Sequence, residues 1–172
     1  MRDFMKFRIL LLTMLIATAV SARPMVGVNV GGSVLLPMGN FKPGFGGGAF
    51  GTAMVGSNTG LAITASSGYQ YYSKKDSISS FSQIPIMGGV RLKFGESPVY
   101  ASGELGAILL ESGNNSGASL SSNTTNLAWD VGMGSEFGPL DLRLSVNGMS
   151  VKNAANPVSF GINLSFRLWD NL

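Results

Sequence analysis

The chain has 172 residues, a formal net charge of +3 and 12% charged residues, enough for one domain but without a strongly charged face. It contains no cysteine and no histidine, which excludes a disulfide framework, Ser-His-Asp catalysis and histidine metal sites. Abundant glycine (24 residues) with β-branched and aromatic residues and little charge points to close-packed β-structure rather than helix or disorder.

The first segment is a targeting sequence by its pattern. Arg2, Lys6 and Arg8 precede an apolar run from Ile9 to Val20, and Val20-Ser21-Ala22 offers small residues at a cleavage site. The run falls short of the roughly 20 residues of a spanning helix, and nothing later in the chain reaches that length either. Residues 1–22 are therefore expected to be a signal peptide and 23–172 the mature domain. Its removal takes away three basic side chains and Asp3, leaving a nearly neutral chain with no field for nucleic acid.

Eight segments then read as strands. Met25 to Leu36 puts Val26, Val28, Val30 and Val34 on one face. Gly44 to Val55 is glycine-rich and its faces are not assignable from Phe45, Phe50 and Met54. Leu61 to Tyr72 alternates Leu61, Ile63 and Ala65 with Thr64, Ser66 and Gln70. Ser82 to Phe94 carries Ile84, Ile86, Val90, Leu92 and Phe94 on one face, and Pro85 predicts a bulge near its start. Val99 to Leu110, Asn126 to Phe137 and Leu140 to Met149 follow. Ser159 to Trp169 alternates Phe160, Ile162, Leu164, Phe166 and Leu168 with Gly161, Asn163, Ser165 and Arg167. The sequence leaves open whether this last strand stops at Phe166 or runs to Trp169.

Connections alternate in length. Pro37 to Pro43, Ser73 to Ser80, Ser112 to Thr125 and Val151 to Asn156 are the longer ones. Ser57 to Gly60, Gly95 to Pro98 and Gly138-Pro139 are tight turns. This is the layout of an eight-stranded antiparallel up-and-down transmembrane β-barrel, with long outer loops and short periplasmic turns. Strands of this length match the roughly 9–11 residues that cross a bilayer as a tilted strand.

Charge follows parity. With the apolar face towards lipid, Arg91, Lys93, Glu104, Asp130, Glu136, Asp141, Arg143 and Arg167 all point to the lumen. A lipid-facing Arg or Lys at mid-membrane costs roughly 2–4 kcal/mol, which gives the exclusion a cause. The set is balanced, and an eight-stranded barrel is just wide enough for side chains to fill. An ion-paired plug is expected, mostly in the periplasmic half, with Asp130 towards the outer end. Tyr69, Tyr71, Tyr72, Phe81, Trp129 and Phe160 are expected in an outer aromatic girdle, and Phe94, Tyr100, Phe137, Phe166 and Trp169 in an inner one, although Phe81, Tyr100 and Trp169 carry the inward parity.

On three motifs the chain resembles the small bacterial outer-membrane β-barrel family, of the OmpA/OmpX-like or OmpW-like kind. Leu36-Pro37-Met38-Gly39-Asn40-Phe41 is similar to the family's first loop. Ile84-Pro85-Ile86 through Val90-Arg91-Leu92-Lys93-Phe94 to Gly103-Glu104-Leu105-Gly106 resembles its central hairpin. Ser159, Gly161, Leu164 and Phe166 resemble the signal read by the barrel-insertion machinery, although six residues follow Phe166 here. The resemblance implies the outer membrane of a diderm bacterium, with outer-membrane lipid and the insertion machinery as partners.

No cofactor and no enzymatic activity are expected. Asp130 and Glu136 are read as structural ion-pair partners rather than catalytic carboxylates. Gly44 to Gly48 lacks the Lys-Ser/Thr of a phosphate loop. The expected function is a non-enzymatic barrel with an envelope-structural or surface-interaction role, its extracellular contacts made through loop 112–125. The alternatives are an OmpW-like passive transport barrel for small or hydrophobic molecules, and a soluble exported barrel holding an apolar ligand.

Overall fold

The computed structural model describes residues 25–38, 45–56, 60–73, 80–112, 125–150 and 157–170. The expected signal peptide and the tips of the four longer connections lie outside these residues. Eight strands form: β1 (Met25–Met38), β2 (Gly46–Gly56), β3 (Leu61–Tyr72), β4 (Phe81–Lys93), β5 (Val99–Ser112), β6 (Thr125–Phe137), β7 (Leu140–Ser150) and β8 (Val158–Asp170). Each pairs antiparallel with its sequence neighbour, and β8 returns to β1 to close the barrel. Closure satisfies the backbone donors and acceptors that an open edge would leave exposed.

Alternation causes this fold. In β4, Ile84, Ile86, Val90 and Leu92 are exposed outward, while Gln83 and Arg91 are buried inside. The same split places Val30, Val34 and Leu36 outside and Asn29, Ser33 and Leu35 inside β1. Gly60, Gly95 and Gly138 adopt φ of 85°, 63° and 62° at the tight connections, where a side chain would be strained. These three define the turn end of the barrel. The opposite, loop end is where β1, β3, β5 and β7 finish.

The strands are staggered. Following paired residues from Gly27 through Met54, Thr64, Gly89, Glu104, Asp130, Asn147 and Ser159 leads back to β1 at Pro37, not at Gly27. Such a stagger tilts the strands by roughly 35–45° to the axis. It also decides which lumen side chains meet, because residues far apart along two strands come level across the interior.

Several expectations are corrected. Pro37 is not in the first loop: it continues β1 opposite Ser159. Pro85 causes no bulge. It stays in register opposite Ile108 on β5, and the β3 ladder lapses between the Ser67–Ile86 and Gln70–Gln83 pairs without a shift. Ser67 Oγ donates to the Pro85 carbonyl at 3.0 Å instead. The last strand does not stop at Phe166. It runs to Asp170, and its register against β1 shifts between Val28 and Asn29, where Leu168 is the extra residue.

The lumen is filled in two chemically different parts. Towards the loop end, Leu35, Tyr72, Phe81, Ile108, Ala128 and Met149 form a buried apolar cluster, with Met87 against it. Tyr72 and Phe81 stack there, ring centroids 4.7 Å apart at 12°. Both were expected in the outer girdle, and Tyr100 in the inner one; all three are inside the barrel. Their parity, not their position near a strand end, decides this. Phe50 of β2 also lines the interior. Below the apolar cluster the lumen is polar and charged.

Candidate functional site

The charged part of the lumen divides into two layers. At the turn end, Glu136 near the close of β6 gathers three cations. Arg91 Nη1 lies 2.9 Å from its carboxylate, Lys93 Nζ 2.6 Å and Arg167 Nη2 2.7 Å. Arg91 is shared, its Nη2 lying 2.8 Å from Asp141 at the start of β7. Its guanidinium also sits 3.8 Å from the centroid of the Tyr100 ring, in cation–π geometry. Tyr100 in turn donates its hydroxyl to Asp141 at 2.5 Å, and Asn29 Nδ2 donates to the same carboxylate at 3.4 Å. Arg91, Tyr100, Asp141 and Asn29 are all buried.

Nearer mid-barrel, Glu104 and Asp130 stand opposite one another across the β5–β6 ladder. Asp130 was expected towards the outer end, but the stagger brings it level with Glu104. Arg143 pairs with Asp130 and donates from Nε to Ser102 Oγ at 2.9 Å. Glu104 accepts hydrogen bonds from Thr64 Oγ1 and Ser66 Oγ, both at 2.9 Å. A cavity of about 80 Å³ lies between this layer and the apolar cluster, lined by both. A second of about 20 Å³ separates the two charged layers.

The eight charged residues singled out in the sequence thus all face the interior, but they do not form one cluster. Arg91, Lys93, Glu136, Asp141 and Arg167 are one network. Asp130 and Arg143 are a second. Glu104 meets hydroxyls rather than a cation among the described residues. Of the residues in the insertion-signal pattern, Ser159 shares a 3.3 Å hydrogen bond with Tyr72 Oη inside the barrel, Gly161 is buried, and Leu164 and Phe166 face outward.

Sequence reasoning missed the neutral partners: Tyr100, Asn29, Thr64, Ser66 and Ser102. Their parity was the available signal. It also missed the glycines that make room. A Cβ on Gly134 would lie 2.4 Å from the Tyr100 ring, and one on Gly89 would lie 2.1 Å from the Gly103 carbonyl and 2.7 Å from the Glu104 side chain. These glycines let large lumen side chains lie flat across neighbouring strands.

No family model matches the sequence, and no curated protein does. Solved structures match along most of the chain. The N-terminal β-barrel domain of Pseudomonas aeruginosa OprF is similar with a TM-score of 0.62 at 11% identity, covering 83% of this chain and 97% of that one. The Yersinia pestis outer membrane protein Ail, determined in a phospholipid bilayer nanodisc, gives 0.57 at 15% identity, covering 85% and 100%. Neisserial surface protein A gives 0.54 at 18% identity, covering 84% and 95%. The chain has the fold of the small bacterial outer-membrane barrels.

The outside of this outer-membrane barrel fold is as one-sided as its lumen. Val30, Ile63, Ile86, Leu105, Val131, Leu144 and Leu164 present exposed apolar side chains from seven different strands. Away from the strand ends, no Asp, Glu, Lys or Arg shares the outward parity among the described residues. Tyr69 and Tyr71 are exposed towards the loop end, and Phe94, Phe137 and Phe166 towards the turn end. Tyrosine at one rim and phenylalanine at the other suit the two interfaces of a bilayer.

Proposed function

We propose that the chain is a non-enzymatic integral protein of the outer membrane of a diderm bacterium, exported by residues 1–22, with a lumen plugged by its own side chains. One observation carries this reading: every strand presents exposed apolar side chains outward, while the charged residues between strand ends all face in. A soluble barrel with an apolar interior has the opposite arrangement, because exposing an apolar belt to water forgoes about 25 cal/mol per Å² of burial. The fold shared with OprF, Ail and neisserial surface protein A supports the same placement.

The plug rests on the chord from Arg91 through Glu136 to Arg167, which crosses the lumen at the turn end. Above it, Tyr72 and Phe81 stack on neighbouring strands, and Tyr72 reaches Ser159 on β8. The role that remains is mechanical or adhesive: a stable wall element that presents loop 112–125 outside. During assembly, Leu164 and Phe166 on the outside of β8, with Ser159 and Gly161 on its lumen face nearer the loop end, are the residues offered to the insertion machinery.

Two measurements test this. Single-channel recording in planar bilayers is expected to show no stable open level, and a sustained ohmic conductance would overturn the plug. Fractionation of cells is expected to place the protein in the outer membrane with heat-modifiable migration. Recovery in the soluble periplasm would overturn the lipid-facing assignment and leave the soluble-barrel alternative.

A further inference from the structure

The lumen charges cancel as a set but not where they sit. The turn-end layer holds Arg91, Lys93 and Arg167 against Glu136 and Asp141. The middle layer holds Arg143 against Glu104 and Asp130, and Arg143 is committed to Asp130. Glu104 is left with two hydroxyl donors and no cationic partner among the described residues. It is 8% exposed. A buried carboxylate is costly unless a positive charge reaches it, and two neutral donors do not supply one.

The cavity of about 80 Å³ lies directly on the loop side of this carboxylate. Glu104, Asp130 and Ser66 line one end together with Arg143, which is paired with Asp130. Met87, Ile108 and Met149 give it apolar wall. Gln83 lines the other end, several residues nearer the loop end on β4, and is 2% exposed. Its Nε2 donates to Gln70 Oε1 at 2.6 Å, while its own Oε1 has no hydrogen-bond partner. Buried amide oxygens are rarely left so. The cavity therefore presents surplus negative charge at one end, an unused acceptor at the other, and hydrocarbon between them.

We infer that the lumen binds a short linear alkylammonium ion carrying a second hydrogen-bond donor, its ammonium between Glu104 and Asp130 and its far donor on Gln83 Oε1. At roughly 10–15 Å³ of such volume per water, the cavity has room for roughly six non-hydrogen atoms. A bare metal ion fits less well. The apolar wall adds nothing to a metal ion, and no group of three or more metal-ligating side chains exists among the described residues. The site goes beyond the plug reading and stands whether or not the barrel conducts, because it needs the middle layer and not the turn-end chord.

The test titrates 4-aminobutan-1-ol into the protein purified from membranes and held in detergent micelles, followed by isothermal calorimetry. Expected is one saturable site per barrel, with butan-1-ol binding at least tenfold more weakly. Glu104→Gln is expected to weaken the amino alcohol at least tenfold, and Gln83→Leu severalfold, both variants keeping heat-modifiable migration. If Glu104→Gln does not fold, Gln83→Leu carries the test alone, and unchanged affinity there overturns the site. No saturable binding to the native barrel overturns it, as does unchanged affinity in a folded Glu104→Gln. Displacement of the probe by equimolar sodium chloride assigns the site to a bare cation and overturns the alkylammonium.

Discussion

Arg91 on β4 reaches past β5 to Glu136 on β6, closing a 2.9 Å ion pair while its guanidinium lies over the Tyr100 ring of the strand between them. The pair is therefore a chord across the lumen rather than a contact along the wall. Removing Arg91 leaves its two carboxylates in different positions. Glu136 keeps Lys93 and Arg167, but no other ion pair among the described residues reaches Asp141. Arg91→Leu is expected to lower the unfolding free energy by about 3–5 kcal/mol, the usual cost of stranding a buried charge. Adding Asp141→Asn is expected to recover part of that loss. Urea unfolding of the barrel in micelles, read by the folded band on gels, measures both, and equal losses for single and double variants would contradict the assignment.

The Tyr100 ring needs Gly134 beneath it. A methyl group there would come within 2.4 Å of the ring and 2.8 Å of the Leu142 carbonyl. Gly134→Ala is expected to cost about 1–3 kcal/mol, as overpacking of a filled interior does. Tyr100→Leu in the same chain is expected to relieve part of the cost, since it withdraws the ring. Comparing the three variants in the same urea series isolates the coupling. Additive losses would mean that the carbonyl contact, not the ring, sets the penalty.

The lipid-facing assignment predicts a dependence on depth. Leu144 lies mid-strand on β7 opposite Ile162, whereas Leu140 opens the same strand beside the Gly138 turn. Both are exposed apolar side chains with outward parity. Leu144→Arg in lipid vesicles is expected to cost roughly 2–4 kcal/mol, and Leu140→Arg roughly 0–1 kcal/mol. In a water-facing barrel the two substitutions would cost the same, so a flat profile would sink the bilayer assignment.

The faces of the strands were legible wherever one parity was apolar and the other polar. Ser159 to Trp169 and Ser82 to Phe94 read correctly for that reason. Gly44 to Val55 did not, because the lumen itself is apolar in places: Phe50 points inward from a strand whose outward face is glycine and alanine up to Val55. Tyr72 and Phe81 were misplaced by the same ambiguity, since an aromatic near a strand end suits a girdle and a stacked lid equally well. Parity put Glu104 and Asp130 in the lumen, but not side by side. Partner choice depends on the stagger of the strands, and stagger is set by every ladder together, including the shift opposite Leu168 that no local pattern announces.

Closure between β1 and β8 carries the fold, and it offers a direct test because the chain contains no cysteine. Ser33 and Asn163 are Cα partners across the closing ladder and both point into the lumen. Antiparallel partners lie roughly 4.5–5.5 Å apart at Cα, inside the range a disulfide spans. The double variant Ser33→Cys with Asn163→Cys is expected to oxidise in the folded barrel. It then migrates as a covalently closed chain on denaturing gels without reductant and as a linear chain with it. Because the bridge ties β1 to β8, it shortens the freedom of nearly the whole unfolded chain, worth about 4–5 kcal/mol in the chain-entropy view. The urea midpoint is therefore expected to rise on oxidation and return on reduction. Moving the second cysteine by one residue, to Leu164, points it outward and puts it opposite Gly32 instead. That pair is expected to stay reduced, and its ready oxidation would show that the register across the closing ladder is not the one described.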